Sequence, residues 1–365
     1  MKLFRKLHLW LSVPFGLVIS CICFTGAILV FEKEITEWTN PTLYKVKNVG
    51  KQPIPLDKLL NIVSGHIAND TQIKGVTIDK DSRKTYQVHL SKPQRTSIHI
   101  DKYTGEIKGK SERLPFFITV SKLHRWLMGN PRTENGKMGT GKLIVGTSTL
   151  IFVFVLLSGI VIWWPRNKKV LKNRLSINWK KGWKRFYYDL HVVGGIYAVI
   201  ILLALSLTGL TWSFPWYRNG FYQLLGSEAI KAPKSKDHNP TDRKINNEID
   251  FHQWQNVYDQ LSRKNTSFSK IMISNGTAQL YHNKLGNQRA SDNYTFLPET
   301  GEITDFSPYN KTEKSKKIGG WIYLIHVGSW GGILSRIFTF FAALLGASLP
   351  LTGYYLWLKK KVFHS

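Results

Sequence analysis

Four stretches, residues 9–31, 143–164, 192–214 and 337–358, contain no charged side chain and are apolar almost throughout. A helix needs about 20 such residues to cross a hydrocarbon core of ~30 Å. Inside lipid a helix is also the simplest way to satisfy every backbone polar group. The chain is therefore expected to be an α-helical membrane protein with four transmembrane helices. The first stretch follows Lys2, Arg5 and Lys6, as a signal peptide would. However, "VFEKEITEW" after it offers no small-residue cleavage site, and the run exceeds a usual signal core, so it reads as an anchor.

Charge then orients the spans. The connector 165–190 carries Arg166, Lys168, Lys169, Lys172, Arg174, Lys180, Lys181, Lys184 and Arg185 against the single acid Asp189. Lys2, Arg5 and Lys6 lie before the first span, and Lys359, Lys360 and Lys361 after the last. Lys and Arg are retained on the cytoplasmic side in short segments, which places both termini inside and the segments 32–142 and 215–336 outside. The net charge of the chain is +28, and its basic outer surface suits anionic ligands or lipid head groups. Membrane lipid is an expected partner and nucleic acid is not.

The only cysteines, Cys21 and Cys23, both fall inside the first span, which excludes a disulfide framework for the outer segments. In an apolar helix they read as small packing residues. No C-x-x-C-H occurs, so covalent haem attachment by that motif is excluded as well.

The chain repeats itself. His8 and Thr25-Gly26 match His191 and Thr208-Gly209, the histidine preceding the Thr-Gly by the same interval each time. "SIHIDKYTGEI" resembles "NYTFLPETGEI", each a strand running into a tight turn at glycine. A further histidine follows each turn, His124 in "KLHRWLMG" and His326 in "YLIHVGSWGG". Each half is thus span, outer segment, histidine, span, and two crossings per half make the repeats parallel. Within the outer segments, "LDKLLNIVSGHI" and "FHQWQNVYDQLSRK" have helical periodicity. "TQIKGVTIDKDSRKTYQVHL" and "SFSKIMISNGTAQLYHN" alternate as strands do. The expectation is two small α+β domains, each a helix on an antiparallel sheet, without a catalytic triad, phosphate loop or zinc spacing.

Topology sorts four histidines into two pairs, His8 with His191 at the cytoplasmic boundary and His124 with His326 at the outer one. Two imidazoles from facing helices can take both axial positions of a haem iron. Zinc or copper would also accept imidazole, but a two-histidine site with no Asp, Glu or Cys nearby is poor for zinc. His66, His89, His99, His238, His252, His282 and His364 fall outside the pattern and read as surface or locally bonded residues. Thr25-Gly26, Ser158-Gly159, Thr208-Gly209 and Thr352-Gly353 occur once per span. They suit either close helix packing or room beside a bulky ring. Most of the thirteen tryptophans read as an interfacial belt.

"RKLHLWLSVPFGLVISCICFTGAI", "KLHRWLMG", "LLSGIVIWWP", "DLHVVGGIYAVIILLALSLTGL" and "LIHVGSWGGILSRIFTFFAALLGASLPLTGYYLWLKKK" together resemble the signature segments of the PepSY-associated transmembrane helix family. The TGEI turns resemble its PepSY domains, and the likeness runs in order over nearly the whole chain. Characterised members of that family include bacterial inner-membrane ferric-siderophore reductases with two haems. The resemblance implies two non-covalent haem b groups and an oxidoreductase activity. Electrons would pass from a cytoplasmic-side donor to a ferric siderophore or other ferric chelate outside. The ligands carried over are His8, His124, His191 and His326. No flavin or nicotinamide fingerprint is present, so the donor would be a separate protein, a quinol or a soluble reductant. Arg125 and Arg132 are possible contacts for the chelate. The rival expectations are an anchored PepSY regulator of a peptidase, without a cofactor, and a siderophore permease, for which no span carries an internal charge.

Overall fold

The computed structural model describes residues 2–93, 96–178, 180, 182–229, 250–265, 267–282 and 287–362; Lys181, His238 and His364 lie outside these. In chain order, α1 (Lys2–Val30) is followed by two short helices, α2 (Glu32–Thr39) and α3 (Pro41–Tyr44). Then come α4 (Leu56–Ser64) and the strands β1 (Ile73–Asp79), β2 (Tyr86–Leu90), β3 (Ser97–Ile100) and β4 (Ile107–Ser111). α5 (Pro115–Trp126) and α6 (Thr140–Trp163) complete the first half, and α7 (Lys168–Arg174) lies in the connector. The second half runs α8 (Gly182–Ser213), α9 (Pro215–Leu224), α10 (Phe251–Lys264), β5 (Lys270–Ser274), β6 (Thr277–Tyr281), β7 (Ser291–Phe296), β8 (Ile303–Ser307), α11 (Lys314–His326) and α12 (Gly332–Val362).

The chain divides into two units, one of Met1–Glu32, Pro115–Ala229 and Trp321–Ser365, the other of Lys33–Leu114 and Ile230–Gly320. Among the described residues four helices are long and apolar enough to cross a membrane, α1, α6, α8 and α12, and all lie in the first unit. α1 packs on α12 and α6, and α8 packs on the same two, so the contacts close a ring of four. Ile19, Phe152, Val155, Leu156, Ala198, Val199, Leu202, Ala342 and Leu349 form its apolar centre, with Cys23 packed against it. Cys21 and Cys23 are free thiols. Ser20 Oγ donates to the Ala347 carbonyl at 2.8 Å, pinning α1 to α12. The helices outrun their charge-free stretches, so His8 and His191 sit within α1 and α8 rather than before them. The connector folds back on α6, whose last carbonyls, those of Ile162, Trp163 and Trp164, accept from the Arg174 guanidinium. A cation at a helix C-terminus satisfies carbonyls that the helix itself leaves open.

The second unit departs from the expected pair of separate domains. Its strands form one antiparallel sheet of eight in the order β4-β3-β2-β1-β5-β6-β7-β8. The joint is β1 against β5, with Gly75 opposite Ser274 and Asp79 opposite Lys270. Each half supplies a four-stranded meander whose first strand would otherwise be an unpaired edge, and an open edge invites pairing. Gly75 permits the approach: a methyl group there would lie 2.7 Å from the Ile273 carbonyl oxygen. The alternation read in the sequence sends Val76, Ile78, Val88, Ile98, Ile271, Ile273, Ala278 and Leu280 into one core shared with α4 and α10. Leu59, Leu60 and Val63 of α4 and Trp254, Val257 and Leu261 of α10 are fully buried there. The TGEI turns are as expected, Gly105 at φ 74° and Gly301 at φ 71°, values that favour glycine. The segment boundaries also shift: α5, α9 and the end of α11 belong with the helical unit, not with the sheet.

Candidate functional site

Four histidines of the helical unit share one local arrangement. His8 Nδ1 lies 3.1 Å from the Val155 carbonyl oxygen and 3.0 Å from Ser158 Oγ, both on α6. His124 Nδ1, on α5, lies 2.9 Å from the Ile22 carbonyl and 3.1 Å from Thr25 Oγ1 of α1. His191 Nδ1, on α8, is 3.0 Å from both the Leu349 carbonyl and Thr352 Oγ1 of α12. His326 Nδ1, on α11, is 3.0 Å from the Leu205 carbonyl and 3.2 Å from Thr208 Oγ1 of α8. A carbonyl oxygen only accepts, so Nδ1 carries the proton in each ring and Nε2 is left with its lone pair.

The structure brings these rings together in the pairs expected from topology. The His8 and His191 ring centroids are 6.3 Å apart with the rings nearly perpendicular, at 86°. Those of His124 and His326 are also 6.3 Å apart, at 51°. Trp212 sets its ring against His326, at 5.0 Å between centroids. Over its length the chain matches the family described as the PepSY-associated TM region, residues 5–360. It belongs to that family. No curated protein matches the chain.

For this PepSY-associated protein, the two pairs lie well apart along the spans. Thr25, which holds His124, follows His8 by seventeen residues on α1, and Thr208, which holds His326, follows His191 by the same interval on α8. At ~1.5 Å per helical residue the separation is about 25 Å along the axis. Two neutral imidazoles facing each other can hold one metal ion between their Nε2 atoms. With metal–imidazole bonds of about 2.0 Å, the centroids of two rings on one ion come to about 6 Å apart, and both pairs meet that spacing. No group of three or more His, Cys, Asp or Glu that could hold a metal occurs among the described residues. The donor set is therefore two imidazoles, too few for zinc but enough for a metal that would bring further ligands of its own. On α11, outside the spans, burial pushes the His326 imidazole down to about 4, with His124 adding to the effect.

The remaining described histidines are locally bonded, in line with the sequence reading. His89 Nε2 is 2.7 Å from Thr77 Oγ1 and its Nδ1 2.8 Å from Ser97 Oγ. His99 Nδ1 is 2.9 Å from Thr85 Oγ1, with the Tyr44 ring against it at 4.7 Å. His282 Nε2 donates to Asp292 at 2.7 Å, His252 faces Asp57 at 3.5 Å, and His66 Nδ1 donates to the Ile62 carbonyl. Of the expected chelate contacts, Arg125 follows His124 and stacks over Trp126 at 5.0 Å, and Arg132 bridges to Met138.

What the sequence reading missed is the use of the Ser/Thr-Gly dipeptides. They were open to helix packing or to room beside a ring, and in the structure the ring is the histidine's own. The occurrence of one such dipeptide in each of the four spans, matching four histidines in number, was the signal available for it.

Proposed function

We propose that this protein carries electrons across a membrane through two non-covalent haem b groups, one held by His8 and His191 and the other by His124 and His326. On this reading it reduces a ferric siderophore or similar ferric chelate on the outer side. The observation that carries the reading is the pair of 6.3 Å imidazole couples, each ring with Nδ1 bonded to a backbone carbonyl. That bond fixes which nitrogen keeps its lone pair, as in most metal-binding histidines. Haem suits a site with two protein donors, because the macrocycle supplies the other four.

When bound, such haems supply one-electron exchange between ferric and ferrous iron. The chain's own residues do the rest. His8 with His191 and His124 with His326 would hold the two haems through their Nε2 lone pairs. The apolar side chains of α1, α6, α8 and α12 exclude water around the pairs. The ferric chelate gains one electron outside, and its hard oxygen donors hold ferrous iron less tightly, so iron is released. The electron comes from a reductant on the opposite side: a quinol, a soluble reductant or a separate protein. The basic connector 165–190 and both termini belong on that cytoplasmic side of a bacterial inner membrane, by the retention of Lys and Arg.

A reduced-minus-oxidised absorption spectrum of the purified protein, with haem quantified per chain, tests the reading. Two b-type haems per chain with sharp low-spin bands are expected, and His8→Ala or His326→Ala should each remove one. A haem-free protein after expression with ample haem supply would sink it and favour the anchored regulator. Unchanged haem content in the variants would overturn the ligand assignment.

A further inference from the structure

The Ser/Thr-Gly dipeptides have no role in the reading above, yet each faces one of its histidines. We propose that Thr25-Gly26, Ser158-Gly159, Thr208-Gly209 and Thr352-Gly353 are positioning residues that seat the four imidazoles and strengthen them as ligands. The hydroxyl oxygen acts as a second acceptor for Nδ1–H, and the glycine as the floor beneath the Cε1 edge. The part concerning ligand strength rests on the bis-histidine haem reading; the seating does not.

Two observations separate this from ordinary helix packing. The first is what each glycine makes room for. A methyl group built on Gly26, Gly159, Gly209 or Gly353 would meet His124, His8, His326 or His191 at 3.1, 3.5, 2.9 and 3.4 Å respectively, always at Cε1. At all four positions the nearest neighbours of that methyl are imidazole atoms alone. A packing glycine would instead be approached by the backbone or side chains of a neighbouring span. Gly146 is such a case, its nearest neighbours being Phe214 and Ser213.

The second is where the hydroxyl protons go. Thr25 Oγ1 donates to the Cys21 carbonyl at 2.7 Å and Ser158 Oγ to Val155 at 2.8 Å. Thr208 Oγ1 donates to Ala204 at 2.6 Å and Thr352 Oγ1 to Leu349 at 2.9 Å. Each hydroxyl has committed its proton to its own helix and presents only lone pairs to the ring. Two acceptors therefore converge on every Nδ1, and the opposite tautomer would set the Nδ1 lone pair against the carbonyl oxygen and draw the hydroxyl proton away from its own helix. Drawing on the Nδ1 proton raises electron density at Nε2, which favours a ferric over a ferrous partner.

The test compares full-length Thr208→Val and Thr208→Ser with the parent. With haem bound, Thr208→Val should raise the midpoint potential of one haem only, leaving two haems per chain, and Thr208→Ser should keep the parent value. A Val variant matching both parent and Ser variant in potential and in its paramagnetic resonance spectrum would overturn the tuning role. Seating is read separately, in haem-free protein labelled with 15N-histidine. Nδ1-protonated rings are expected for these four, with one Nδ1 resonance moving in Thr208→Val and not in Thr208→Ser; Nε2-protonated rings would overturn it. A protein that takes up no haem defeats the functional reading, while the nitrogen spectrum still decides the seat.

Discussion

At the scale of single residues, the four seats are alike in kind but not in clearance. A methyl at Gly209 would come within 2.9 Å of His326, whereas one at Gly353 would lie 3.4 Å from His191, an ordinary contact. On the two-haem reading, Gly209→Ala is therefore expected to displace its imidazole and weaken haem retention at the His124–His326 pair by roughly 10–100-fold, the usual cost of disturbing a ligand's support. Gly353→Ala should retain haem nearly as the parent does. Haem per chain after extended dialysis distinguishes them, and equal loss in both would contradict the clearance argument. Titration gives a second residue-scale prediction, in the sheet unit. His99 is 1% exposed, and burial, with His89 nearby, pushes its pKa down to about 4. An unfolded histidine titrates near 6.5. The folded pKa is the lower one, so stability is full above about pH 6.5. It falls as the pH drops from there towards 4, where the unfolded chain binds a proton that the fold refuses, by on the order of 3 kcal/mol in total. Amide exchange of β2 and β3 at pH 7 and pH 5 should show this loss of protection, and His99→Leu should reduce it. His89, also held down by burial, leaves a residual slope. The paired histidines were legible because polar residues repeated at one depth of a span are rarely incidental. Their seats were not, since Ser and Gly in a span have a common packing use.

At the scale of elements, the strands and the two helices over them could be read from alternation and periodicity, but the joint between the meanders could not. Period-two patterning says which face of a strand is buried and nothing about which strand lies beside it. The β1–β5 pairing joins residues far apart in sequence, and its local trace is one glycine. Gly75→Ala sets a methyl 2.7 Å from a backbone carbonyl that cannot turn away. We expect it to destabilise the sheet unit by about 1–3 kcal/mol, the range of overpacking strain. Amide exchange should localise the loss to β1 and β5; protection unchanged from the parent would show that the joint tolerates a side chain there. The same shared core explains why two domains were expected and one sheet is found. Neither α4 nor α10 has a core of its own, since both pack into one apolar cluster.

At the scale of the whole molecule, the seats and the pairs obey opposite rules. His8 is seated on α6 and His124 on α1, both in the first half; His191 is seated on α12 and His326 on α8, both in the second. Each half positions its own histidines. The pairs are made only between halves, His8 with His191 and His124 with His326. One half thus contains two seated histidines and neither complete pair. The contacts of α1 with α12 and of α6 with α8, together with the β1–β5 joint, hold the halves to each other without the connector. Cleaving an inserted protease site near residue 177 should therefore leave the halves associated and, on the two-haem reading, both haems retained. Residues 1–176 expressed alone should bind no haem as a monomer, because each histidine lacks its opposite. If that half takes up haem at all, it should do so as a dimer in which His8 meets a second His8 and His124 a second His124. Light scattering coupled to size exclusion, with haem quantified across the peak, reads all three outcomes. A monomeric half carrying a low-spin, six-coordinate haem would show that one half can complete a site by itself, and the division between seating and pairing would be wrong.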